Sequence, residues 1–196
     1  MKLTTFLLAA SVLLMTHTAG AQPAAPYVLG TVGVGALADD EGGLGSGRVL
    51  GAAVGWSVSD HLSVEAAFTH ARHAREGSLA WQGDPSTLGG RLLYRFNDPG
   101  ARVGVFAGGG LAYFHYPGTF TETVFDAPGA VGRPVATDWR VSGWAWEVGT
   151  GLDVAFGHLL VRPEAWFAAS RPTRVSPAPE PPYFMPRIAL SVGARF

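Results

Sequence analysis

Arg187-Ile188-Ala189-Leu190-Ser191-Val192-Gly193-Ala194-Arg195-Phe196 reads as one amphipathic strand. Ile188, Leu190, Val192, Ala194 and Phe196 alternate strictly with Arg187, Ala189, Ser191, Gly193 and Arg195. Successive side chains of a strand point to opposite faces, so one face is apolar and the other small or charged. A strand of this kind, ending on an aromatic, suits the wall of a barrel in a membrane better than a soluble sheet.

Seven further stretches repeat the pattern, at about 27–37, 48–58, 62–72, 87–96, 102–115, 142–156 and 159–167. In the second, Leu50, Ala52, Val54 and Trp56 oppose Gly51, Ala53, Gly55 and Ser57; in the fourth, Leu88, Leu92, Tyr94 and Phe96 oppose Gly89, Arg91, Leu93 and Arg95. Pro163 weakens the seventh, because proline cannot donate to a ladder. Ser59-Asp60-His61, Asn97-Asp98-Pro99-Gly100 and Gly157-His158 are short turns by residue chemistry. The intervening links around Asp39 to Glu41, Glu76 to Pro85, Tyr116 to Arg140 and Arg171 to Tyr183 read as loops, the third with room for strand extensions. Short and long links therefore alternate. Outer-membrane barrels have short periplasmic turns, long outer loops and an even strand number, with roughly nine to eleven residues per tilted crossing. The expected fold is all-β: an eight-stranded antiparallel up-and-down transmembrane β-barrel over residues 22–196.

Composition agrees. Charged residues are 15% of the 196, and glycine numbers 27. Residues 1–21 read as a signal peptide, with Lys2 before the apolar run Phe6 to Met15 and a small-residue cleavage site at Ala19-Gly20-Ala21. That run is about half the roughly 20 residues of a spanning helix, and no later stretch is longer, so a membrane would be crossed by strands. Without Lys2, 13 basic residues face 15 acidic ones, a net of −2 with no basic patch, which gives no footing for nucleic acid. Cysteine is absent, which excludes disulfides, thiolate metal sites and a lipid-modified cysteine.

Alternation alone does not say which face points outward, because a soluble barrel turns its apolar face inward. Two features do. The less apolar face is mostly Gly, Ala and Ser, which suits a narrow lumen and lacks the Lys and Glu of a wetted surface. The aromatics divide into two groups: Trp56, Tyr94, Phe96, Phe156 and Phe196 near the short turns, and Phe68, Tyr113, Trp144, Trp146 and Phe167 near the long links. Two aromatic girdles bounding an apolar band mark the two membrane interfaces.

The leader, the eight strands, the turn segment Ser57-Val58-Ser59-Asp60-His61-Leu62-Ser63-Val64-Glu65 and the last strand ending in Phe196 resemble the small OmpA/OmpX-type outer-membrane β-barrel family. The resemblance implies residence in the bacterial outer membrane among its lipids, after cleavage of the leader. It also implies insertion by the barrel-assembly machinery, which reads a terminal aromatic, here Phe196, as its signal. It brings no cofactor. OmpA-type proteins often carry a peptidoglycan-binding domain after the barrel, for which this sequence leaves no room.

The inward face carries Glu65, Arg91, Arg95, Glu147, Asp153, Arg162, Glu164, Arg187 and Arg195. Charges in a low-dielectric lumen must pair, so a bridge network centred on Glu65, Arg91, Glu147, Arg162 and Glu164 is expected. It would serve as a plug in preference to a gate, since eight strands leave an interior that side chains nearly fill. Asp60, His61 and Ser63 resemble a lipid A deacylase motif but sit at a short turn without its context, so no catalytic residue is assigned. His70 and His73 have a metal-like spacing, yet three residues apart on a strand they face opposite sides. The leading function is a non-enzymatic envelope or surface-interaction barrel whose loops meet an extracellular ligand; the alternatives are a small pore or apolar-solute conduit of OmpW type, and a lipid A-modifying enzyme.

Overall fold

The computed structural model describes residues 26–39, 42–75, 79–97, 101–125, 131–176 and 183–196. The leader and the centres of several links lie outside these residues. Nine strands are described: β1 (Pro26–Asp39), β2 (Gly42–Ser57), β3 (Leu62–Arg75), β4 (Leu79–Gly83), β5 (Ser86–Arg95), β6 (Val103–Val124), β7 (Arg133–Phe156), β8 (Leu159–Ser176) and β9 (Tyr183–Arg195). All pairings are antiparallel, and the ring closes where β1 pairs with both β2 and β9. The nine strands make eight staves, because β4 and β5 share one: each pairs with β3 on one side and β6 on the other. The break falls at Asp84 and Pro85, where proline has no N–H to give. The stave stays aligned because Ala71 N–H donates to the Pro85 carbonyl at 2.8 Å and Asp84 N–H to that of Pro117 at 3.1 Å.

At the short-turn end Ser59-Asp60-His61 and Gly157-His158 are the short links expected, while Asp98-Pro99-Gly100 lies outside the described residues. Gly157 adopts φ 63°, the left-handed region that a tight two-residue hairpin demands and glycine enters freely. Pro163 stays within β8; pairing with β7 lapses opposite Leu152 and Asp153 and resumes at Val154↔Val161 without a register shift. At the other end the strands run further than the alternation suggests. Residues 116–124 and 133–140 are the strand extensions for which that link left room: β6 and β7 pair without interruption from Val103↔Val154 to Val124↔Arg133, with β4 alongside β6 from Gly118 to Glu122, so a ribbon continues past the apolar belt. Its period of two is hidden in the sequence because Thr119, Thr121 and Thr123 alternate with residues that are not consistently apolar, and Pro117, Gly118 and Pro134 imitate loop punctuation. Likewise β2 begins at Gly42 and not near 48, β8 continues to Ser176, and Tyr183 opens β9; the rest of the 171–183 link lies outside the described residues.

Outward positions form the belt. Val28, Val32 and Val34 on β1, Leu50 on β2, Phe68 on β3, Leu92 on β5, Val105 and Leu111 on β6, Val148 on β7 and Ile188, Leu190 and Val192 on β9 are all exposed. A belt of exposed apolar side chains on this scale would be unstable in water and is what hydrocarbon requires. Inside lie three apolar clusters: Tyr27, Leu29, Ala53, Ala67 and Leu160 towards the short turns; Leu93, Phe106 and Trp166 at mid-height; and a larger one around Phe114, Tyr116, Trp139 and Tyr183 at the long-strand end.

Candidate functional site

The lumen's charged residues are set by alternation and brought together by register. Glu65, Arg91, Gly110 and Glu147 are successive partners across β3, β5, β6 and β7. Gly110 is the socket in this row, since a Cβ there would lie 3.1 Å from Arg91 Cγ and 2.1 Å from the Gly90 carbonyl oxygen. With no side chain between them, Arg91 Nε donates to Glu147 Oε2 at 2.7 Å and Arg91 Nη1 to Glu65 Oε1 at 3.1 Å. Arg187 Nη1 reaches the other Glu147 oxygen at 3.1 Å. Arg162 Nη1 donates to Glu65 Oε2 at 2.5 Å and its Nε to Asp153 Oδ1 at 2.7 Å, while Arg95 completes the series on Asp153 Oδ2. The result is one chain, Arg187–Glu147–Arg91–Glu65–Arg162–Asp153–Arg95, running across the lumen.

Aromatic faces wrap the guanidinium groups. Arg91 lies 4.1 Å from the Trp166 ring centroid, and Arg162 lies between Phe106 and Tyr27 at 4.9 and 5.0 Å. Such contacts favour desolvated cations beyond their ion pairs. Tyr27 also donates its hydroxyl proton to Glu65 Oε2 at 3.0 Å. Arg162 is 1% and Glu147 2% exposed, so the pairs are dry and each depends on its partners.

Two expected members stand elsewhere. Glu164 joins no ion pair among the described residues; the Ser191 hydroxyl donates to its Oε1 at 2.8 Å and the Trp166 indole N–H to its Oε2 at 2.9 Å. Asp153 takes the bridging place expected for Glu164, because it stands within reach of both Arg162 and Arg95. Arg195 lies apart from the chain, at the short-turn mouth, where its carbonyl oxygen is 3.0 Å from His158 Nδ1. Trp166 is the organiser that the charge pattern does not reveal. Its inward parity is readable from β8, but its role depends on Gly149, directly opposite on β7, leaving room for the indole.

Above the charges sits a second layer that the reading of small inward residues missed. Tyr116 packs edge-on against Trp139 at 4.4 Å, and Trp139 stacks on Tyr183 at 6.3 Å, with Leu37, Phe114, Val141 and Met185 around them. Tyr116, Trp139 and Tyr183 fall in the links read as loops, where no alternation argument was applied. Burial pushes the Tyr116 hydroxyl pKa well up, and it stays protonated at any physiological pH.

His73 borders this layer, on the strand end beyond the belt. It points inward, 4% exposed, while His70 points outward with Nδ1 3.0 Å from the Ser86 hydroxyl, so the pair faces opposite sides as alternation demands. Burial lowers the His73 pKa from its ordinary 6.5, against smaller upward pulls from the Gly35 backbone and the Asp84 charge. A depressed histidine favours the fold fully above the unfolded value, about 6.5, and loses that contribution as pH falls below it. Acidification from about pH 7.5 to about pH 5 is therefore expected to destabilise the wild type more than His73→Phe. Urea titrations at the two pH values check this, and a wild-type–variant difference that does not change with pH would remove His73 as a cause.

The other motif does not assemble. His61 Nδ1 lies 3.0 Å from the Arg95 carbonyl oxygen and its ring stacks on Tyr94, while Ser63 donates to Ser57 at 3.5 Å, so His61 and Ser63 are committed to different partners. The girdle residues all occupy outward positions, from half-buried Trp56 to Trp146 and Phe196 at 70% and 71% exposure. Tyr113 meets Trp144 edge-on at 5.6 Å and Tyr94 meets Phe96 at 5.2 Å. Phe184, stacked on Phe167 at 5.9 Å, extends the long-strand girdle onto β9.

The sequence profile described as Outer membrane protein beta-barrel domain matches residues 5–164. Neisserial surface protein A superposes with a TM-score of 0.64 at 13% identity, covering 87% of this chain and 97% of its own. Ail, the attachment invasion locus protein of Yersinia pestis, gives 0.56 at 12% identity over 89% and 100%, and OprG of Pseudomonas aeruginosa 0.53 at 13% over 90% and 98%. Comparison with the sequences of curated proteins finds no match.

Proposed function

Since the chain belongs to the outer membrane protein β-barrel domain family, we propose that it is a sealed, non-enzymatic barrel of the bacterial outer membrane that supports envelope integrity and presents its long-strand end to the exterior. The observation that carries this reading is the seven-residue ion-pair chain across the lumen, capped by the Tyr116–Trp139–Tyr183 layer. An ion crossing would have to part these charges, five of the seven held by two partners, and then displace packed aromatics, in an eight-stave interior that side chains nearly fill. The orientation follows from the short turns, which lie on the periplasmic side in such barrels. The β6–β7 ribbon then stands on the outer side and, among the described residues, is a surface offered to a ligand. Ail solved with the heparin analogue sucrose octasulfate is a precedent for ligand binding by a barrel of this shape. On the opposite rim, the exposed ring of Phe196 is the feature the assembly machinery would read.

In planar bilayers the purified protein is expected to show no steady conductance. Tyr116→Ala should stay silent as well, because it thins only the aromatic layer and leaves the ion pairs in place. A steady open conductance in the wild type, altered by Glu147→Ala, would overturn the sealed reading and favour a pore.

A further inference from the structure

The outward face beyond the belt is not uniformly polar. On β2 and β3, Arg48 and Arg72 are direct cross-strand partners, both exposed and both pointing away from the lumen. Like charges placed opposite each other disfavour pairing unless a counter-charge lies over them. Among the described residues the one carboxylate Arg72 meets is Asp84, at 3.9 Å with its side chain 81% exposed, a contact of little worth, and Arg48 meets none. Beside them runs a groove of about 360 Å³, bounded by Arg72, Asp84, Pro117, Thr119, Asp138 and Arg140. Its second carboxylate, Asp138, is engaged by the Thr119 hydroxyl at 2.8 Å, and Arg140 has no carboxylate partner among the described residues.

The height of these groups is decisive. Arg72 and Arg140 each stand four residues beyond the last outward aromatic of their strands, Phe68 and Trp144. At about 3.3 Å per residue and a tilt of about 40°, that places them roughly 10 Å past the aromatic girdle, at headgroup level. A guanidinium is fixed in charge and binds phosphate oxygens through paired donors, whereas the belt below offers only acyl-chain contacts.

We propose that Arg48, Arg72 and Arg140 form a binding face on the β2–β7 side of the barrel for the two phosphates of an outer-leaflet glycolipid, the Arg48–Arg72 pair meeting one and Arg140, at the far side of the groove, the other, with the acyl chains along the belt beneath. The assignment of leaflet rests on the orientation proposed above. The test is titration of the detergent-purified full chain with lipid A bearing both phosphates, read by native mass spectrometry. Each guanidinium beside an anionic lipid surface is worth a factor of about five, so Arg48→Gln with Arg72→Gln should weaken retention about 25-fold. Dephosphorylated lipid A should bind the wild type more weakly still, because Arg140 then loses its partner as well, with no further loss when the double variant and dephosphorylated lipid are combined. Arg72→Glu, which replaces the like-charge pair by an opposite-charge one, should keep heat-modifiable migration while losing retention, separating binding from folding. Equal retention by the wild type and the double variant would overturn the proposal. Displacement of lipid A by equimolar inorganic phosphate would overturn the lipid as its occupant. Arginine-dependent retention of phosphatidylglycerol but not of lipid A would overturn both this assignment and the orientation, while the conductance measurement would still test the sealed lumen independently.

Discussion

Glu65→Ala is expected to lower the stability of the barrel by about 3–5 kcal/mol, the range for removing one member of a buried ion pair. Glu65 is the central link of the lumen chain: its two oxygens hold Arg91 at 3.1 Å and Arg162 at 2.5 Å, and Tyr27 at 3.0 Å. Removing it strands two guanidiniums in a dry interior, each keeping one carboxylate instead of two. The loss reflects uncompensated charge more than missing attraction. Glu65→Leu combined with Arg162→Met, which removes a charge of each sign and leaves an apolar pair of similar volume, should therefore recover much of it. Urea unfolding in detergent, followed by tryptophan fluorescence, measures both. A Glu65→Ala loss below about 1 kcal/mol would mean that water reaches the network and screens it.

Gly193→Val should prevent the ring from closing. Gly193 faces inward on β9 at the seam, paired with Leu29 of β1 and Leu160 of β8. A Cβ there would lie 1.7 Å from the Val28 carbonyl oxygen and 2.8 Å from Leu29 Cα. Both obstacles are backbone, so no rotamer change relieves the clash and β1 must retreat from β9, opening the hydrogen bonds that close the barrel. Valine otherwise suits a strand, so intrinsic preference works against the predicted defect. Gly90→Val is the matched control: Gly90 points outward into the belt, and a Cβ there meets nothing within 4 Å. The expected result is loss of the compact, heat-modifiable species for Gly193→Val and its retention for Gly90→Val. Identical migration of the two variants would show that the seam tolerates a side chain.

The alternation of Ile188 to Phe196 and its seven companions determined that the chain is all-β and which residues share a face, because side-chain parity is a local property of extended backbone; the small residues of one face and the two aromatic groups of the other then told lumen from lipid. Together they placed Glu65, Arg91, Glu147, Arg162 and Trp166 inside. They did not determine who meets whom. Glu147 holds Arg91, 56 residues away, and Arg187, 40 residues away, and Asp153 bridges where Glu164 was expected. Those choices depend on the relative stagger of staves around a closed ring, which no window of sequence contains. Parity was also silent in the ribbon, where neither face is consistently apolar and Pro117 and Pro134 resemble loop signals. The inward Tyr116, Trp139 and Tyr183 emerge only once β6, β7 and β9 are continued past the belt. Sequence alone determined the wall and its two faces; the tertiary structure decided the plug, the aromatic layer above it and the arginine arc outside, because each is assembled by register between strands far apart in the chain.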